Sequence, residues 1–231
     1  MSKSLTIAAW FFDLDGTLID TAPDFVSAVN QVAVQNKLPL IAPAKIRSYV
    51  SEGTRGLVQH CLLKTQNDAE HFEALRQQIL DAYELVDHQN AQLFPGARAI
   101  IDEFEARKLP WGIVTNKPER FAVPLIHRLQ LDQRSACLIC PEHVEFRKPH
   151  PESLLLAARG VGIEPGHCMY VGDHLRDIQA GQAAGMQTSS VGFGYFPASE
   201  DPLTWQADYH FEDLAALAST FGLTSNSKQD S

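Results

Sequence analysis

Between the apolar run "LTIAAWFF" at residues 5–12 and the turn "FPG" at residues 94–96, about seventy residues carry only helical spacing. Beyond that turn, strands and helices alternate. The first run is apolar and aromatic and is followed by turn residues, which reads as a buried strand. From Thr21, with Pro23 at a helix-start position, apolar residues recur at Phe25, Val26, Val29, Val32 and Ala33. Segments 44–50, 54–63 and 68–87 continue as helices, the last with Phe72, Leu75, Ile79, Tyr83 and Val86 along one face. After the turn come helix 96–108, strand 110–115, helix 118–130, strand 136–140, helix 151–160, strand 168–172, helix 175–185 and strand 187–192. This rhythm builds an α/β core, a parallel sheet with helices on both faces. The first strand alone has no partner, so it belongs to that sheet, and the helical block is an insertion at its C-terminal end. The expected division is a core of residues 1–18 and 92–223, a helical unit of 19–91, and a polar, flexible tail at 224–231 that follows Leu223.

A chain of 231 residues with 45% apolar content can bury a sizeable core. Its formal charge of −9, without any Lys/Arg cluster, excludes a nucleic-acid surface. The run at 5–12 is cut off by Asp13 and lacks a basic leader, so it is not a signal peptide, and no other run approaches the ~18 apolar residues of a membrane span. Cys61, Cys137, Cys140 and Cys168 are too scattered for a disulfide scaffold. A soluble cytoplasmic protein, monomer or homodimer, is expected.

In a parallel sheet the strand ends gather along one edge, where ligands bind. Those ends carry Asp13 and Asp15 after the first strand, Thr115 and Asn116 after the next, Lys148 after the third, and Asp173 and Asp177 after the fourth. Clustered carboxylates call for a hard cation such as Mg²⁺, and Mg²⁺ commonly accompanies phosphate. A carboxylate is ionised at neutral pH, so Asp13 can attack phosphorus without a base to activate it. The ester is itself anionic, and two unit charges at ~4 Å repel by about 1 kcal/mol in water and several-fold more at a dry site. Mg²⁺ and Lys148 would cancel that repulsion. Asp15 can protonate the leaving alkoxide and later deprotonate water. Thr115 and the backbone N–H groups after Asp13, Gly16 included, can hold the phosphoryl oxygens. Singly, each residue has an ordinary role: Asp-Gly makes turns, Asp caps helices, Lys148 precedes Pro149 in a loop. It is the ordered set at strand ends that points to a site.

The motifs "DLDGT" (13–17), "VTN" (114–116), Lys148 in "RKPHP" and "GDHLRD" (172–177) resemble, in order, the four motifs of the haloacid dehalogenase superfamily. The resemblance implies a Rossmann-like core with a helical cap inserted after the first motif. It implies Asp13 as nucleophile and Asp15 as general acid/base, with Mg²⁺ held by Asp13, the Asp15 carbonyl and Asp173, and supported by Asp177. An aspartate at position 15 favours phosphatases and sugar-phosphate mutases over dehalogenases and ion pumps. Within the superfamily the chain is similar to bacterial phosphoglycolate phosphatases. The stretches "WGIVTNKPERFAVPLIHRL" and "LICPEHVEFRKPHPESL" are closer still to the subgroup acting on N-acetylmuramic acid 6-phosphate in peptidoglycan recycling. Both substrates carry a carboxylate besides the phosphate. Arg55, in "SEGTRGLV", is the candidate clamp because guanidinium offers a bidentate fork, with Arg47 a weaker one. Lys117 and Arg120, beside Thr115, are further substrate candidates, with a plain helix-start role as the alternative.

Other patterns carry less. "CLIC" (137–140) has zinc spacing, but in a strand i and i+3 face opposite ways. "GFGYF" (192–196) has no helix pattern after it, so it is not a dinucleotide loop. His174 reads as an exposed helix-start residue. Three rivals to a phosphatase stay open: a sugar-phosphate mutase, a non-hydrolytic phospho-accepting signalling protein, and a silent binding protein.

Overall fold

The computed structural model describes residues 6–63, 69–86 and 88–224. The first strand, β1 (Ala9–Phe12), is buried along its whole length. Trp10 and Phe12 enter one apolar cluster and Ala9 and Phe11 the other, the two-residue alternation of a strand covered on both faces. The chain then forms β2 (Ile19–Asp20), α1 (Ala22–Gln35), α2 (Pro43–Arg47), α3 (Gly53–Leu57), a π-helical turn at Val58–Leu62, and α4 (Ala69–Val86) before β3 (Gln92–Leu93). The core resumes with α5 (Ala97–Ala106), β4 (Trp111–Val114), α6 (Glu119–Arg128), β5 (Leu138–Ile139) and α7 (Glu152–Val161). It ends with β6 (Cys168–Gly172), α8 (Leu175–Ala184), β7 (Gln187–Val191), β8 (Tyr209–Phe211) and α9 (Leu214–Thr220).

Six strands form one parallel sheet in the order β5-β4-β1-β6-β7-β8. Counting only these core strands, the order is the 3-2-1-4-5-6 of doubly wound nucleotide-binding folds, whose crevice opens where the winding reverses. The reversal falls at β1, so Asp13 leaves its strand at the mouth of that crevice. The two linkers to the helical layer are not loose: β2 and β3 pair antiparallel, Ile19 with Leu93 and Asp20 with Gln92. In the helical layer α1 and α4 pack through Val29, Val32, Leu75 and Ile79, and the Phe25 and Tyr83 rings stack 4.1 Å apart.

Several elements differ from their sequence-based bounds. Strand 5–12 shortens to Ala9–Phe12, with residue 5 outside the described residues. Strand 136–140 shrinks to Leu138–Ile139 at the sheet edge, where pairing on one side only leaves little to extend it. Helix 54–63 is an α-turn that widens into π-helix at Val58, and helix 44–50 stops at Arg47. Both ends of helix 68–87 lie outside the described residues. Leu223 packs into the larger apolar cluster. It is 4% exposed, its N–H donates to the Ala218 carbonyl at 2.6 Å, and only residues 225–231 lie outside the described residues. Cys140 packs into one apolar cluster and Cys137 against the other, as opposite strand faces require. Burial pushes their thiols up to about 12 and about 11, which keeps them protonated at neutral pH. Among the described residues no helix is long and apolar enough to cross a membrane.

Candidate active site

The backbone of Asp13 extends β1 by one bond, its N–H donating to the Val171 carbonyl at 2.9 Å. The chain then turns sharply: Leu18 and Ile19 N–H groups both donate to the Leu14 carbonyl, and Gly16 N–H donates to the Ile19 carbonyl at 3.1 Å. Gly16 is required here for two reasons. Its φ is +83°, and a Cβ would stand 2.1 Å from Asp173 Oδ2. Its N–H is spent on the turn, and that of Leu14 on Asp13 Oδ1 at 2.7 Å.

Lys148 is 2% exposed, and its Nζ lies 3.1 Å from Asp13 Oδ1 and 2.7 Å from Asp177 Oδ1. It also donates to the Tyr170 hydroxyl at 2.6 Å and the Val114 carbonyl at 3.0 Å. Asn116 secures the lysine's loop from both sides, its Nδ2 donating to the Lys148 carbonyl and its Oδ1 accepting from the Lys148 N–H. A buried ammonium is tolerable only with this degree of pairing.

Asp173 is fully buried, and its Oδ2 accepts from Ser51 Oγ and Tyr195 N–H, both at 2.8 Å, while Oδ1 accepts from Thr17 Oγ1 at 3.1 Å. Burial, reinforced by the charges of Asp13 and Asp177, pushes its carboxyl up to about 8. Asp13 is raised as well, by burial, against the pull of Lys148. Asp13, Asp173 and Asp177 each bring one carboxylate oxygen into a group spanning no more than 4.8 Å. Three buried carboxylate oxygens this close together fit a divalent cation, whose charge offsets their crowding.

Asp15 stands apart from that trio. Its Oδ1 accepts from Thr21 Oγ1 at 2.6 Å, and Lys117 Nζ holds both carboxylate oxygens at 3.1 and 3.2 Å. Lys117 is buried rather than a plain helix-start residue, with its Nζ over the Phe25 and Tyr83 rings and donating to the Tyr83 hydroxyl at 3.0 Å. Thr115 is buried beside it, its Oγ1 accepting from Lys117 N–H at 3.1 Å. Asp173 is not on the helix with Asp177: it precedes His174, which caps α8. His174 starts that helix as expected, but it is half-buried, and burial followed by the Arg176 charge pushes it down to about 3.

A cavity of about 1090 Å³ separates the helical layer from the sheet edge, with Asp13, Thr115 and Lys148 on one wall and Phe25, Ser51 and Tyr83 on the other. Arg55 lines it too, but is two-thirds exposed, paired with Glu73 at 2.8 Å and set over the Phe72 ring. Arg120 is exposed on the rim, over Phe121. Arg47 lies at the neck instead, where it grips Asp20 through both oxygens and stacks on Tyr195.

The profile of the haloacid dehalogenase-like hydrolases matches residues 10–191, which spans every motif of this site. The chain belongs to this family. Among curated relatives, the N-acetylmuramic acid 6-phosphate phosphatase of Pseudomonas putida is 40% identical, over 88% of this chain and 91% of its own length. The phosphoglycolate phosphatase of Xanthomonas campestris pv. campestris is 42% identical, over 90% of this chain and 94% of its own. The solved structure of a predicted phosphoglycolate phosphatase from Haemophilus somnus 129pt superposes with a TM-score of 0.82 over 94% of this chain and 99% of its own, at 21% identity, a likeness of fold.

In this haloacid dehalogenase-like hydrolase the sequence motifs found the acids and the lysine but missed the residues that hold them. Ser51, Tyr170 and Tyr195 touch the carboxylates or Lys148, yet none stands in a motif. Tyr195 had a visible signal, the "GFGYF" set aside as a non-nucleotide loop. The Tyr195 hydroxyl donates to Asp20 and accepts from Thr21 and Ala22 N–H, tying the neck to the same residue whose backbone holds Asp173.

Proposed function

We propose that the chain is a metal-dependent phosphomonoesterase working through an aspartyl-phosphate on Asp13, with N-acetylmuramic acid 6-phosphate as its substrate. The observation that carries the reading is Asp13 itself: a buried carboxylate on Lys148, within the acidic trio, opening on a cavity shared with the helical cap. Asp13 forms a bond to phosphorus as the ester P–O bond breaks, and Asp15 gives its proton to the departing alkoxide. Asp15 then takes a proton from water, which attacks the acyl phosphate, releases inorganic phosphate and restores Asp13. Thr115 hydrogen-bonds the phosphoryl oxygens, and Lys148 offsets the charge that gathers as the anionic ester approaches. Asn116 keeps Lys148 aimed, while Lys117 and Thr21 fix the Asp15 side chain. A divalent cation on Asp13, Asp173 and Asp177, Mg²⁺ in this reading, supplies the remaining positive charge.

Cavity size favours the amino-sugar acid over phosphoglycolate. About 1090 Å³ is room for a drug-sized ligand, far more than a two-carbon ester fills. Relatives bearing both names support either substrate, so the test sets them side by side. The kcat/KM on N-acetylmuramic acid 6-phosphate should exceed that on phosphoglycolate by at least about tenfold, roughly 1.4 kcal/mol of transition-state binding. The reverse order would return the substrate to phosphoglycolate, and no phosphate release from any monoester would remove the phosphatase reading altogether.

A further inference from the structure

The cavity's cations are not equally occupied. Arg55 and Arg76 share Glu73, Lys117 is held by Asp15, and Lys148 by Asp13 and Asp177. Arg120 and Arg147 are exposed. Arg176, inside "GDHLRD", is different: it lines the cavity, is half-buried, and has no carboxylate partner among the described residues. One Nη donates to the carbonyl of Ser51 on the cap side, and Nε is buried with no partner among the described residues. A buried guanidinium N–H without an acceptor is costly, and such a group in a cleft is poised for a ligand that supplies one. Its place narrows which ligand group that is. Among the described residues the Arg176 side chain makes no ion pair or hydrogen bond with Asp13, Asp173 or Asp177, and the reacting position is already served by Lys148 and the acidic trio. Arg176 reaches toward Ser51, the side on which the non-reacting part of an ester sits under the cap.

We infer that Arg176 binds the carboxylate of the substrate, using its planar fork to select phosphate esters that carry a second anion. This rests on the phosphatase reading above and assigns the second anion to a core arginine rather than to Arg55, whose guanidinium is already taken by Glu73. Charge and geometry both matter for such a fork, so lysine replaces it only in part.

The test compares two esters that differ in one substituent: N-acetylmuramic acid 6-phosphate and N-acetylglucosamine 6-phosphate, the same sugar without the 3-O-lactyl ether that bears the carboxylate. Wild-type phosphate release from p-nitrophenyl phosphate is measured first, and its absence would sink the phosphatase reading rather than Arg176. In Arg176→Met the preference for the carboxylate ester, taken as the ratio of the two kcat/KM values, should collapse by at least tenfold, through KM more than kcat. Arg176→Lys should keep an intermediate ratio. Because the ratio is taken within one variant, partial misfolding cancels. An unchanged ratio in Arg176→Met, whether both rates fall together or neither moves, overturns the assignment, as does a wild type that does not distinguish the two esters.

Discussion

At the scale of single residues, the acids of the first motif divide by the partners their neighbours give them. Asp13 sits with Lys148 beside two other buried carboxylates, whereas Asp15, two positions on, is drawn out of that group by Lys117 and Thr21. Repulsion between like charges on adjacent strand-end positions is therefore relieved in opposite directions, one acid toward the sheet and one toward the cap. Replacing Asp13 by Asn keeps the shape and removes the nucleophile. Turnover should fall on the order of 10⁴-fold or more. The cation-free melting temperature should not drop, because burial already disfavours the charged form of Asp13. Steady-state kinetics and a melting curve check both, and a variant with residual activity near wild type would remove Asp13 from the chemistry. These acids were legible in the sequence because each lies in a short local motif. Ser51 and Arg176 were not, since their contacts join positions 122 and 125 residues apart in the chain, and no local pattern encodes that.

At the scale of elements, legibility follows strand length and burial. β6 was read to the residue because Cys168–Gly172 is buried throughout, whereas β1 was found but drawn four residues too long, because the apolar run continues ahead of the strand. β8 escaped notice: Tyr209–Phe211 is three residues long at a sheet edge and only Phe211 is buried. The two-residue strands of the neck, β2 and β3, carry no pattern at all, and their pairing is visible only once the fold brings positions 19–20 and 92–93 together. What fixes that neck is Tyr195, 1% exposed, whose hydroxyl serves Asp20, Thr21 N–H and Ala22 N–H at once. Tyr195→Phe leaves the buried Thr21 N–H without its acceptor and the Ala22 N–H with only the longer bond to Asp20 Oδ1 at 3.3 Å. It should destabilise the protein by about 1–3 kcal/mol, read as a lower urea midpoint with an unchanged slope. A midpoint within error of wild type would mean that Arg47 and Asp20 hold the neck without it.

At the scale of the whole molecule, three parts of the chain converge on one carboxylate. Asp173 comes from the sheet edge, Ser51 reaches it from the cap, and the Tyr195 backbone reaches it from the loop after β7 that also ties down the neck. A cation at this point therefore acts on more than its ligands: it offsets the burial and the neighbouring carboxylates that push Asp173 up to about 8, and it does so at the junction of sheet, cap and neck. Unfolding separates Asp13, Asp173 and Asp177 and abolishes the site, so binding stabilises the fold by mass action, about 2.7 kcal/mol at a hundredfold excess over Kd. For a chain of this length that corresponds to a rise of about 5–10 °C in Tm. Adding Mg²⁺ to chelator-treated protein should produce the rise, EDTA should reverse it, and phosphate release should follow the same titration. Asp173→Asn should lose both the shift and the activity together. A wild-type melting curve indifferent to Mg²⁺, or an Asp173→Asn protein stabilised as much as wild type, would mean that the cation sits elsewhere than among these three carboxylates.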